Sequence, residues 1–242
     1  MKKIIKKLIK IILTPFIIKD YIKFLSLNKD KRFKISTKDF NPQIMDKTFK
    51  TGFDRHYVYH TSWAARKVKE INPIKHIDIS SSLYFSGIVS AFIDIDFYDY
   101  RPADLHLNGL KSLKGDLHNL PFVSNSVESI SCMHTIEHVG LGRYGDPIDP
   151  IGDIKAINEL KRVVLSGGNL IFVTPVGQPI IEFNAHRIYS YEQIISYFEG
   201  FELKEFSLIS EYEKDGGIII NADPKLVRKE KYACGCFWFV KK

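Results

Sequence analysis

The chain has 242 residues, 45% hydrophobic and 26% charged, enough for one substantial core with extensions. Its formal charge of +7 suggests nucleic acid until it is located: residues 1–34 hold eleven Lys and Arg against two Asp, whereas the other 24 basic residues face 26 acidic ones. The basicity belongs to an arm, so nucleic-acid binding by the body is not expected, and three cysteines, Cys132, Cys234 and Cys236, fit a reducing cytoplasm better than a disulfide framework.

The arm opens with Ile4, Ile5, Leu8, Ile9 and Ile12 at helical spacing, the gaps filled by Lys2, Lys3, Lys6, Lys7 and Lys10. This pattern predicts a basic amphipathic helix. Lys10, Lys19 and Lys23 break up the apolar runs and no small-residue cleavage site follows, which argues against a membrane span or a signal peptide. Residues 1–27 are therefore expected either to lie on an anionic membrane surface, peripheral to the inner face, or to pack on protein. Residues 28–50 read as linker, giving an arm over 1–50 and a folded domain over 51–242.

Within the domain, Phe53 to Ile71 starts irregular and becomes helical, with Trp63, Ala64, Lys67, Val68 and Ile71 marking a face; His56, Tyr57 and His60 precede it as minor candidates for the substrate side. Lys75–Ser80 predicts the first strand, and Ser81 and Ser82 open a helix, a strand, turn and helix start of the kind that cradles a cofactor. Ala91–Tyr98 predicts the second strand. Asp99 at its end stands 17 residues after Ser82, near the spacing of a carboxylate that accepts from a ribose diol. Leu113 to Phe122 predicts a short third strand and an acidic turn whose Asp116 is suited to an adenine amino group.

Val127–Met133 predicts the fourth strand, and the window after it is the most reactive in the chain: His134, Glu137, His138, Arg143, Tyr144 and Asp146, with Gly140, Gly142 and Gly145 forbidding a long helix. A helix over Asp153–Val164 and a fifth strand over Asn169–Pro175 follow. Next come Asn184, His186 and Arg187, then a helix over Tyr191–Phe198 with Ser190 and Gln193 in capping-box positions, and late strands over Phe201–Ile209 and Tyr232–Val240. Period two places Cys234 and Cys236 on one strand face. Without a second Cys/His pair at ligand spacing, no metal is expected there. His134-Thr-Ile-Glu-His138 matches the inverted zinc-protease signature H-x-x-E-H, but two ligands four apart need a stable helix face that the glycines deny.

The order of these elements, with Gly115-Asp-Leu-His-Asn-Leu-Pro-Phe122, the strand ending in Glu137-His138, and Leu160-Lys-Arg-Val-Val-Leu-Ser-Gly-Gly-Asn-Leu-Ile-Phe172, resembles the S-adenosylmethionine-dependent methyltransferases of the Rossmann-like class I fold over residues 74–240. Asp78-Ile-Ser-Ser-Ser82, Phe97-Tyr-Asp-Tyr-Arg-Pro102, Cys132-Met-His134, Glu137-His-Val-Gly-Leu-Gly-Arg-Tyr-Gly-Asp146, Phe183-Asn-Ala-His-Arg187 and Cys234-Gly-Cys-Phe-Trp238 resemble more closely an uncharacterised bacterial family, a domain of unknown function met among cell-surface polysaccharide genes. The resemblance implies an α/β fold with a mostly parallel, twisted seven-stranded sheet between two layers of helices.

It also implies S-adenosylmethionine as cofactor. Asp78, Ser80, Ser81 and Ser82 would lie at its amino-acid end, Asp99 at the ribose, Asp116 and Leu117 at the adenine and His134 beneath the sulfonium. His134, Glu137, His138 and His186 are then candidate bases, with His186 preferred. Arg143, Tyr144, Asp146, Asn184 and Arg187 would hold a small-molecule or glycan acceptor, a sugar or polysaccharide precursor. One departure is that Ser80, Ser82 and Tyr84 replace a glycine-rich turn, and serine keeps a donor but adds a Cβ. The alternative is therefore a scaffold or glycan-binding module without catalysis.

Overall fold

The computed structural model describes residues 2–30 and 32–242, residues 2–11 by their backbone alone. Contacts divide the chain into a unit ending at Phe53 and a unit spanning Asp54–Lys242. In the first, helix α1 runs over Lys2–Leu27 with Pro15 inside it. The expected apolar face of Ile4, Ile5, Leu8 and Ile9 lies outside the described side chains. After the helix the only regular piece among the described residues of this unit is a 3-10 turn at Thr37–Asp39, capped by Ser36.

The second unit begins with α2 (Arg55–Ile71), followed by β1 (His76–Ile79), α3 (Leu83–Val89), β2 (Ile95–Asp99), β3 (Leu110–Lys114), β4 (Val127–Met133), α4 (Gly152–Val163), β5 (Val164–Val176), β6 (Ile180–Glu182), β7 (His186–Ile188), α5 (Tyr191–Tyr197), β8 (Phe201–Ile209), β9 (Ile218–Ile219) and β10 (Ala233–Lys241). The main sheet has the order β3-β2-β1-β4-β5-β10-β8-β9, and β6 and β7 form a separate hairpin. Strands β1 to β5 pair in parallel, whereas β10 runs antiparallel between β5 and β8. The sheet thus gains an eighth strand over the expected seven through the two-residue β9.

Strand alternation divides the apolar residues between two layers. Ile130, Leu170 and Phe172 pack with Ile157 and Leu160 of α4 and Ile194 of α5 on one face. Met133, Ile171 and Val173 pack with Trp63, Ala64 and Val68 of α2 and Phe85 and Val89 of α3 on the other. Each large apolar side chain so buried stabilises by about 1.5–3 kcal/mol. Helix α2 starts earlier than the pattern suggested, because the Asp54 side chain accepts from the Tyr57 amide and caps it. Its middle is clamped to β8: Trp63 Nε1 donates to Glu205 Oε1 at 2.7 Å, and Lys67 pairs with the same carboxylate at 2.5 Å.

The sheet order reverses between β1 and β4, and in open α/β sheets the crevice lies beyond the carboxyl ends of the strands at such a switch point. A buried polar network fixes that edge. Asp78 accepts from Ser131 Oγ and from Ser86 Oγ, each at 2.5 Å, joining β1 to β4 and α3. His76 lies 2.8 Å from Ser129 Oγ and 2.9 Å from Ser131 Oγ. Burial raises the Asp78 carboxyl from 3.8 to about 6, the hydroxyls only partly opposing it. A carboxyl raised on folding contributes stability that is complete below its unfolded value and is lost as pH rises through the folded one, with a span of about 3 kcal/mol here. Denaturant titrations from pH 4 to 7 are expected to show the wild type losing stability relative to Asp78→Asn by that order. Parallel curves for the two proteins would refute it.

Candidate functional site

The two strands flanking the switch point end in the same unusual way. Ser80, just past β1, has φ +52°, and His134, just past β4, also has φ +52°. A left-handed backbone costs a non-glycine residue about 1–2 kcal/mol, so the surroundings must hold both. Ser80 donates its amide to Tyr98 O at 2.8 Å, and His134 donates to Val173 O at 2.8 Å. The two ends are stitched together: Thr135 Oγ1 donates to Ser80 O at 3.1 Å, and Ser81 Oγ accepts from the Met133 amide at 3.1 Å.

Beyond these ends lies a cleft of about 280 Å³. Its lining includes Ser80, Asp99, Asp116 and Leu117, from the ends of β1, β2 and β3 in order, together with Tyr57, His134, His138, Tyr144 and Asp146. Asp99 accepts from the Arg101 amide at 2.7 Å and Asp116 from the His118 amide at 2.8 Å, which orients both carboxylates in their turns. The loop after His138 is shaped by Asp146, whose Oδ2 accepts from the Gly140 amide at 2.8 Å. Gly140 itself has φ +79°, and a Cβ there would fall 2.1 Å from Asp149 O. Tyr144 lies beneath two guanidinium groups, Arg101 at 5.0 Å and Arg143 at 5.1 Å from its ring centroid.

Several expected site residues are placed elsewhere, for reasons the sequence does not display. Asp78 is fully buried in the network described above and does not line the cleft. Ser81 and Ser82 face the stitch and the start of α3, and Ser82 makes no side-chain cap. Arg187 is buried: it donates to Val139 O at 2.6 Å and lies 3.6 Å from Asp153, so it braces the fold and is not free to grip a ligand. Asn184 is exposed in the turn joining β6 to β7. Arg143 donates to Ala185 O at 2.8 Å. His186 stands outside the cleft lining, 3.5 Å from Glu182 Oε2, its ring 4.9 Å from Tyr232.

Of the four candidate bases, His134 and His138 line the cleft. His138 Nδ1 donates to Ala185 O at 2.7 Å, which leaves Nε2 to accept a proton. Burial lowers its pKa, outweighing the Glu137 carboxylate. Glu137 is itself buried and works through His134, whose Nδ1 lies 2.9 Å from Glu137 Oε1. Burial opposes a charged His134, yet the Cys234 sulfur and Glu137 raise its pKa on balance. The H-x-x-E-H spacing does not form one helix face: His134 precedes a single 3-10 turn at Ile136–His138, and His138 turns toward Ala185.

Sequence reading did not bring Cys234 and Tyr232 to this place and gave the start of α2 only a minor role. The His134 ring lies 4.9 Å from His60, 5.6 Å from Tyr57 and 5.8 Å from His56, while Cys234 Sγ is 3.4 Å from His134 Nε2. The signal available was Asp54 as N-cap followed by histidines four apart, which one helical face brings together.

Comparison with known proteins agrees with the fold. Residues 117–229, 113 of 242, match the family described as "Caenorhabditis protein of unknown function, DUF268", a description that names Caenorhabditis and gives no support to the expected bacterial origin. No curated protein matches the chain. Among solved structures, an S-adenosylmethionine-dependent enzyme of Thermotoga maritima, described as a possible histamine N-methyltransferase, is 17% identical with a TM-score of 0.51, covering 78% of this chain and 90% of its own. A TehB-like S-adenosylmethionine-dependent methyltransferase of Corynebacterium glutamicum is 16% identical with a TM-score of 0.50, covering 76% and 89%. The [4+2]-cyclase SpnF, at 14% identity and a TM-score of 0.50, covers 74% and 81%. Identities this low establish the Rossmann-like methyltransferase fold, and a cyclase among them shows that the fold does not fix the reaction.

The loop that carries Tyr144 and Asp146 depends on Gly140. Gly140→Ala is expected to lower unfolding free energy by about 2–4 kcal/mol, the sum of left-handed strain and a clash with backbone. Chemical denaturation checks this, and wild-type stability in the variant would show the loop free to move aside.

Proposed function

We propose that the Asp54–Lys242 unit is an S-adenosylmethionine-dependent methyltransferase acting on a hydroxyl of a sugar or cell-surface polysaccharide precursor. The observation that carries this reading is one cleft lined in strand order by Ser80, Asp99, Asp116 and Leu117 and also by His134 and His138. Such an order suits an extended nucleoside: Asp99 accepts from the ribose diol, Asp116 from the adenine amino group, and Leu117 offers an apolar surface to the ring. When bound, the cofactor supplies an electrophilic methyl group. The chain's own task is to hold an acceptor oxygen in line and remove its proton, and His138 Nε2 is the base best suited, since Nδ1 is held by Ala185 O. The half-exposed Tyr144 ring with Arg101 and Arg143 over it, beside Asp146, favours a polar ring-shaped acceptor that stacks and hydrogen-bonds.

Titration calorimetry of the folded protein with S-adenosylmethionine is expected to give saturable binding, and Asp99→Ala to weaken it at least tenfold, about 1.4 kcal/mol, with the circular dichroism spectrum unchanged. Absence of heat at high micromolar cofactor would favour the alternative, a scaffold or glycan-binding module on the same fold.

The arm is proposed to attach the protein to the inner face of the cytoplasmic membrane. Ile12, Phe16, Ile22 and Phe24 of α1 are each at least 58% exposed, with Lys19 and Lys23 among them, and each lysine near an anionic surface adds about 1 kcal/mol. Among the described residues no helix is long and apolar enough to cross a membrane. Deleting residues 1–27 is expected to abolish sedimentation with phosphatidylglycerol-containing vesicles, and undiminished pelleting would assign membrane contact elsewhere.

A further inference from the structure

Three ligand-forming side chains converge beside the cleft from elements far apart in the chain: His56 from the first turn of α2, His134 from the end of β4 and Cys234 from β10. Each offers a donor atom within 4.8 Å of the other two. Zinc, with bonds of about 2.0–2.1 Å to nitrogen and about 2.3 Å to sulfur, holds tetrahedral donors about 3.3–3.7 Å apart. The 3.4 Å between His134 Nε2 and Cys234 Sγ already meets that spacing.

We infer that His56, His134 and Cys234 form a zinc site. The partner of His134 points the same way: its Nδ1 lies 2.9 Å from Glu137 Oε1, the carboxylate–histidine pairing that fixes the tautomer of a metal-binding ring and presents Nε2 to the ion. The other Glu137 oxygen and His60 Nε2 are buried without hydrogen-bond partners among the described residues, and buried polar atoms left in this state ask for an unseen partner. His60 is fully buried, with its Nδ1 2.6 Å from His56 O and its ring 4.9 Å from that of His134. The N₂S donor set of imidazoles and a thiol suits zinc over hard cations such as magnesium or calcium. On binding, the Cys234 S–H bond breaks, the Zn–S bond forms and the proton leaves to solvent.

Three protein ligands leave a fourth position open, as in catalytic zinc sites. The site borders the cleft, because His134 is both a ligand and part of the lining, and Tyr57, stacked on it, lines the cleft too. An oxygen bound there is acidified by the metal. Resting on the methyl-transfer reading, this makes the ion an activator of the acceptor hydroxyl; zinc binding itself does not depend on that reading.

The test is made on the full chain without S-adenosylmethionine, so that failure of the site and failure of the transferase reading stay separate. Chelator-stripped protein is titrated with Co²⁺ and then Zn²⁺. One equivalent of Co²⁺ is expected to give a thiolate-to-metal charge-transfer band that Zn²⁺ removes. His56→Ala, at a half-buried position of the helix start, should keep the fold and weaken binding at least tenfold, and Glu137→Gln should weaken it about 10–100-fold. Cys234→Ser should lose the band, while Cys236→Ser, 4.0 Å from Cys234 Sγ in the wild type, should retain it. A folded wild type that gives no band, or a band that survives Cys234→Ser, would overturn the proposal.

Discussion

One carboxylate holds the working edge of this protein together. Asp78 is removed from water and accepts from hydroxyls on β4 and on α3, so the end of the first strand, its neighbour across the switch point and the following helix share a single anchor. An acid so placed is costly unless its oxygens are satisfied. Here Ser131 also meets His76, and the hydroxyl on β4 becomes the junction of a chain of hydrogen bonds running behind the cleft. Ser80 and His134 then leave their strands in left-handed turns and face a common space.

The lining of that space has two origins. One part is made of strand ends, whose positions follow from the parallel pairing of β1, β2 and β3. The rest of the lining comes from parts that the sheet does not dictate: the first turn of α2, through Tyr57, and the glycine-rich loop after His138, through Tyr144 and Asp146. Rigidity there comes from local devices, among them Asp146 accepting from loop amides and Arg187 bracing Val139. Strand geometry supplies the general fold, and these local devices give the chain its particular chemistry.

Sequence reading recovered what local physics decides. The strand expected over Phe201–Ile209 matches to the residue, and Ser190 with Gln193 forms the reciprocal cap expected of them, because period and capping are written in neighbouring residues. It placed the strand ends well enough that Asp99 and Asp116 could be assigned to the cleft. Other features escaped it. Asp78 and Arg187 looked like ligand groups because burial and partners such as Ser131 or Asp153 are separated from them by chain, not by space. The fifth strand, expected from Asn169, begins at Val164 and runs through Gly167 and Gly168, with a register shift opposite Val127 to Ser129. The three-residue strands β6 and β7 are too short to show a period. The start of α2, read as irregular, depended on one capping carboxylate, Asp54, and with that turn went the alignment of His56 and His60.

The clamp between α2 and β8 has a reach beyond packing. From Trp63 back to His56 is seven residues, about 10 Å along a helix axis, and Glu205 grips the helix at the far end of that lever through Trp63 and Lys67. The imidazole wall is thereby aimed from a distance, by an acid on the antiparallel side of the sheet that never approaches a ligand. The outer strand β8 thus serves as the mount on which one jaw of the site is trued.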